Sequence, residues 1–427
     1  MSIDSSKAHQ RIILRRKIRQ GLGIFGFFAV IIAIVAGLAY ARGAPSGYSE
    51  PSAEVLATLT EVEQAQASGR RDVPSALNNK FDDSFPEALV SPALVLPGGP
   101  PPDGIPAIDR PFFERIDQID WLDDREPVIV LTLKDSTGQD ITRAYPVQVL
   151  TWHEIVNDTV AGRAVVVSYC PLCNSAIAFE RRLPDGDVLD FGTSGSLLHS
   201  AMVMFDRQTE SLWAHFTGEA IIGALAGTTL PLLPVATVSY SELKSSFPDA
   251  LVLSQTTGFG REYGQTPYPG YDDVNSRPFL FSGEVEGPLL AKTRVLALRA
   301  GTDSVAVPLK ELATAGVATI ELDGSPVVLL HTAGTTSALD ERAIVDSRDV
   351  GATGVFVAAD SDGVALDLRF DIDRPGLFRS TDGTDWNVLG VAVSGPRAGD
   401  RLESVEHVDT FWFAIVTYEP DTRIVHP

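Results

Sequence analysis

One folding pattern occurs twice in this chain, and that repetition limits its architecture more than any other feature. Aligned without gaps, Ala144 to Ala176 lies over Ala306 to Ala338. Pro146 falls on Pro308, Leu150 on Leu312 and Gly162 on Gly324, while Val165-Val166 falls on Val327-Val328. With small gaps, Leu189-Asp190 matches Leu366-Asp367, Ser211-Leu-Trp213 matches Thr384-Asp-Trp386, and Gly227 and Leu230 match Gly399 and Leu402. Both copies finish on a Pro-Asp step, at Pro248-Asp249 and Pro420-Asp421. A segment that recurs with its prolines, glycines and apolar positions kept encodes a supersecondary unit that packs against its own copy.

What the second copy lacks locates the chemistry. Cys170 and Cys173 become Thr332 and Thr335, and His153 becomes Ala315. Packing positions persist while soft ligands and titratable groups vanish, so a site belongs to the first copy. Cys170 and Cys173 are the only cysteines of 427 residues. They flank a Cys-Pro-Leu-Cys turn between the β-branched run ending at Tyr169 and the alternating run Ser175 to Phe179. Thiols at this spacing close a disulfide, hold a soft metal, or cycle between dithiol and disulfide. A strand after the second cysteine, rather than a helix, favours a metal knuckle whose backbone N–H groups face the sulfurs.

A four-coordinate site needs two more ligands, and the chain has no second cysteine pair. His153, His199, His215 and Met204 are the candidates. Met202 and Met204 are the only methionines besides the initiator, and with His199 they form His-x-x-Met-x-Met. Thiolate, thioether and imidazole together suit Cu(I), with Zn as the other soft-metal option. The leading set is therefore Cys170, Cys173 and His153, with Met204 added as a metal ligand. In a redox version Cys170 attacks and Cys173 resolves. Glu154 and Asp206 are candidate acid–base groups. The rival reading is a non-catalytic module that binds a ligand or envelope partner and keeps the cysteines as a structural disulfide.

The remaining segments set the context. Residues 1–20 are basic, with Lys7, Arg11, Arg15, Arg16, Lys17 and Arg19, and 21–41 carry no charge, long enough to cross a bilayer as a helix. Basic residues before the span predict a cytoplasmic amino terminus and a single-pass protein of the cell membrane. The rest of the chain is then extracytoplasmic, with an unidentified redox or envelope partner. Residues 42–102 are rich in Pro, Ala and Ser and read as a tether. The expected globular part divides into 103–287 and 288–427. Its fold class is α+β, two tandem related units of mostly antiparallel strands with short helices, one of them over Ala144 to Asn157 and another capped by Ser239. A formal net charge of −22 argues against nucleic acid as a partner.

The first copy resembles a prokaryotic family known as domain of unknown function 3179. The resemblance runs through Asp103-Gly-Ile-Pro-Ala-Ile-Asp109, Arg143-Ala-Tyr-Pro146, Trp152-His-Glu-Ile-Val-Asn-Asp158 and Tyr169-Cys-Pro-Leu-Cys173. It continues in Phe191-Gly-Thr-Ser-Gly195, Met204-Phe-Asp-Arg207, Ser211-Leu-Trp213 and Thr217-Gly-Glu-Ala220. It is clear over Asp103 to Leu253 and faint in the second copy. It implies membrane anchoring or export, and family members described as selenoproteins imply a redox role for one sulfur position. This chain has Asn174 where the family has Gly, His199 where it has Asn, and His215 where it has Gln. Asn tolerates the left-handed backbone that such a turn requires.

Overall fold

A computed structural model describes residues 73–427 apart from 282, 360–364 and 372. The expected anchor at 21–41 and its basic flank lie outside the described residues. No described helix is long and apolar enough to cross a membrane.

The described chain is mainly antiparallel β with four short α-helices among the described residues. Strand β1 (Val95–Pro97) precedes the first hairpin, β2 (Pro127–Lys134) and β3 (Asp140–Pro146). Helix α1 (Val147–His153) follows without a linker, then the meander β4 (Ile155–Val160), β5 (Arg163–Cys170) and β6 (Ser175–Glu180). A second meander holds β7 (Phe191–Leu198), β8 (Ala201–Asp206), β9 (Leu212–Ala214) and β10 (Ala220–Ile222). The chain then returns to the first hairpin. Strand β11 (Val235–Ser239) pairs antiparallel with β2, α2 (Tyr240–Ser246) turns the chain, and β12 (Leu251–Leu253) pairs parallel with β3.

The second half builds the same path. It runs β13 (Arg294–Ala300), β14 (Asp303–Pro308), α3 (Leu309–Ala315), β15 (Val317–Leu322), β16 (Ser325–Thr332) and β17 (Ala352–Val357). A small meander includes β18 (Leu377–Arg379), β19 (Asp385–Asn387) and β20 (Ala392–Ser394). Strand β21 (His407–Phe411) then pairs antiparallel with β13, α4 (Trp412–Tyr418) turns the chain, and β22 (Arg423–Ile424) pairs parallel with β14. The alignment of Ala144 to Ala176 over Ala306 to Ala338 carries α1 onto α3, β4 onto β15 and β5 onto β16 with identical bounds.

The two halves share two of their apolar cores, while a third, from Leu296 to Val355, belongs to the second half. One apolar cluster joins Val166 and Phe179 to Val295 and Phe413, and a second joins Val128 and Val238 to Val328 and Trp386. Each half offers an apolar face that the other covers, which is the reason for keeping a copy whose soft ligands are gone.

Two expectations change in detail. The helix drawn over Ala144 to Asn157 is confined to Val147–His153, because Glu154 takes a positive φ and the β-branched residues after it enter β4. Residues 73–102 are not a free tether. Val95 pairs with Leu198, and Ala76 and Val95 are buried in a small cluster with Val203 and Phe205. Ser239 caps α2 as its spacing predicts, its hydroxyl accepting from the Glu242 N–H at 3.2 Å.

Candidate functional site

Cys170 ends β5 and Ser175 begins β6 opposite it, so the Cys-Pro-Leu-Cys turn is the tip of a hairpin. Asn174 closes the turn at φ 51°, and its side-chain oxygen accepts from the Tyr169 hydroxyl at 3.2 Å. The turn is pressed against the second half. The Cys173 carbonyl accepts from Thr410 Oγ1 at 2.9 Å and from the Phe411 N–H at 3.1 Å.

Both thiols are free and buried. The Met202 N–H donates to Cys170 Sγ at 3.4 Å, and the Ser175 hydroxyl donates to Cys173 Sγ at 3.1 Å. Burial alone would raise both thiols, but the Cys173 side chain and the N–H groups of Met202, Cys173 and Leu172 turn Cys170 downward. Cys173, buried and facing the charge that gathers on Cys170, is pushed well up. The N–H that reaches Cys170 Sγ in hydrogen-bond geometry is that of Met202, on the neighbouring meander and not in the turn.

The imidazole beside these sulfurs belongs to His215. Cys170, Cys173 and His215 bring one ligand atom each to within 4.8 Å of one another, the one such group of three or more His, Cys, Asp or Glu residues among the described residues. His215 follows β9, and its N–H donates to the Met202 carbonyl at 3.3 Å. Its ring is wholly buried, and neither nitrogen has a hydrogen-bond partner. Burial lowers its pKa to about 3; the Ser168 backbone opposes that shift without reaching hydrogen-bond geometry. A neutral imidazole with both nitrogens unpaired costs about 1–3 kcal/mol per orphaned group. Coordination of an ion would offset part of that cost.

His153, expected at the site, is occupied elsewhere. The last turn of α1 aims its ring at the Pro106 carbonyl and the Tyr263 hydroxyl, each 2.7 Å from a ring nitrogen. It lies outside the Cys170–Cys173–His215 group. His199 sits with Ser200 in the two-residue turn joining β7 to β8, both at positive φ, its ring near Tyr418 and Phe281. Met204 lies in the middle of β8, buried between Thr193 and Trp213. The Met202 N–H reaches Cys170, and Met204 shares one apolar cluster with both cysteines.

Glu154 is the second residue that gains weight. Its carboxyl is buried, and burial, with Cys170 nearby, raises its pKa to about 8. Its backbone, φ 58° and ψ −32°, lies where side chains are strained. Asp206, by contrast, holds the fold: it accepts from Trp213 Nε1 at 2.9 Å and from the Thr209 N–H at 2.6 Å.

The same asymmetry that singles out the cysteines would have found both residues. Laying Trp213 on Trp386 puts His215 over Val388, and the helix alignment puts Glu154 over Gly316. Most other shared motifs build scaffold. Arg207 bridges Asp103 at 3.0 Å and Asp109 at 2.9 Å, and Asn157 bonds Asp109 at 2.7 Å.

No curated protein and no solved structure matches the chain. A family model does match, over residues 102–422, which takes in both halves and not the first copy alone. The chain belongs to the family described as Protein of unknown function (DUF3179).

Proposed function

We propose that Cys170, Cys173 and His215 hold a soft metal ion, Cu(I) before Zn. The observation that carries this reading is the buried, unpartnered imidazole of His215 beside two free buried thiols. Two sulfurs and one imidazole suit an ion content with three soft ligands. Zn would need a fourth donor, and no other His, Cys, Asp or Glu completes the group among the described residues. The unequal thiols favour a second reading, in which the Cys170 thiolate attacks a partner's disulfide and Cys173 then displaces the mixed disulfide, leaving Cys170–Cys173 oxidised and the partner's two sulfurs as thiols.

Elemental analysis of the purified full chain, with thiol titration before and after reductant, separates the readings. One equivalent of copper or zinc, lost in Cys170→Ser and in His215→Ala, supports the metal centre. Metal-free protein with a reducible disulfide supports the redox reading, and an irreducible disulfide leaves only a structural cross-link. The basic run before 21–41 further supports a single-span anchor in the cell membrane with the metal-binding part outside. A reporter fused after Pro427 that is active in the cytoplasm would overturn this topology.

A further inference from the structure

A cavity of about 340 Å³ opens beside the cysteine turn. Leu172 of the turn lines it, as does Met202, whose N–H meets Cys170. Leu197, Tyr268 and Tyr271 complete most of its apolar wall, and Glu154 is the single carboxylate on it. No lysine or arginine is among the described residues that line it. A dry cavity of roughly 150 Å³ accepts benzene, so this one has room for a substituted ring or a short branched chain. Its walls lack the fixed cation that an anion would need, and most are too apolar to solvate a full charge.

The backbone adds an independent observation. Glu154 and Gly316 occupy equivalent helix ends, and each has its N–H on the carbonyl four residues back, Leu150 or Leu312, at 2.7 Å. Each carbonyl accepts from the paired strand, from the Tyr169 N–H at 2.8 Å and the His331 N–H at 2.9 Å. Gly316 adopts this geometry, φ 73° and ψ −41°, with no side chain to oppose it. Only the copy that has the cavity bears a strained, buried carboxyl there. Its carboxylate oxygens are outside the Cys170–Cys173–His215 group, so it is not a ligand of the ion in this geometry.

We propose that this cavity binds an uncharged, largely apolar small molecule with one hydroxyl-type polar end, which Glu154 engages at the inner wall. The claim that the bound molecule faces a metal rests on the preceding reading; the claim that it binds does not.

Titration calorimetry on the full chain with p-cresol tests it. Saturable binding at one site is expected, weakened at least tenfold by the filling substitution Leu197→Trp or, should that variant not fold, by Ile105→Phe. Glu154→Gln should weaken p-cresol about fivefold and leave toluene unchanged. Absence of saturable p-cresol binding, indifference to both filling variants, or tighter binding of benzylamine or benzoate would overturn the proposal. Metal-free wild-type protein that binds p-cresol sinks the metal centre alone. Metal-loaded protein that ignores p-cresol sinks the cavity alone.

Discussion

Glu154 and Gly316 end equivalent helices in the same backbone conformation, φ 58° and 73°, though one has a buried carboxyl and the other no side chain. Gly fits this conformation at no steric cost, whereas a longer side chain there costs on the order of 1–3 kcal/mol. Glu154→Gly should therefore stabilise the protein by about 1 kcal/mol. Thermal unfolding of the full chain checks this. A lower melting temperature would mean that the carboxyl stabilises the fold and that the strain reading is wrong.

The two buried histidines should separate stability from metal binding. His153→Ala leaves the Pro106 carbonyl and the Tyr263 hydroxyl without the ring and should cost about 1–3 kcal/mol for each group not rescued by water. Metal content should not change. His215→Ala should lower metal affinity by more than the roughly 10–100-fold typical of an outer partner. It removes a side chain with no hydrogen bonds to lose, so any loss of stability in the metal-free protein should come from the cavity alone. Chelator competition and urea unfolding on both variants provide the comparison; reversed outcomes would return the ligand role to His153.

Arg207 joins motifs far apart in the chain. Its guanidinium bonds Asp103, Asp109 and the Phe191 carbonyl, and Asn157 donates to the same oxygen of Asp109. Arg207→Ala removes the charge partner of Asp103 and one partner of Asp109, and should destabilise the protein by about 1–3 kcal/mol. A denaturation midpoint within error of wild type would show that this hub is solvated and dispensable.

Glu126 provides a pH signature away from the cysteines. It is buried and accepts from Gln148 Nε2 at 2.7 Å, and burial raises its pKa to about 7. The folded state holds this proton after the unfolded chain has released it. Its contribution to stability is thus complete below the ordinary carboxyl value near 4.5 and is lost as pH rises through about 7. Relative to wild type, Glu126→Gln should grow steadily more stable from pH 5 to pH 8 in urea unfolding. His153 and His215, whose pKa values burial lowers, act in the opposite sense, gaining stability for the fold as pH rises toward 6.5. They are common to both proteins and cancel in the difference. A pH-independent difference would place Glu126 in contact with solvent.

The sequence alone determined the repeat, the mainly antiparallel α+β character, the Ser239 cap and the turn at Cys170 to Cys173. Each of these is set by local chemistry: prolines at helix starts, alternating apolar residues, a capping hydroxyl, and an Asn that accepts positive φ. Because the copies share one backbone path, comparing them also marked which half keeps its soft ligands. Only the tertiary structure decided that His215, and not His153, faces the sulfurs. His153 is closer to Cys170 in the chain, but α1 turns its ring toward Pro106 and Tyr263, while His215, just after β9, lies with the two sulfurs. Which imidazole reaches a thiol depends on how β8 and β9 pack across β5 and β6. That packing is fixed by contacts between residues distant in sequence, and local propensity does not encode it.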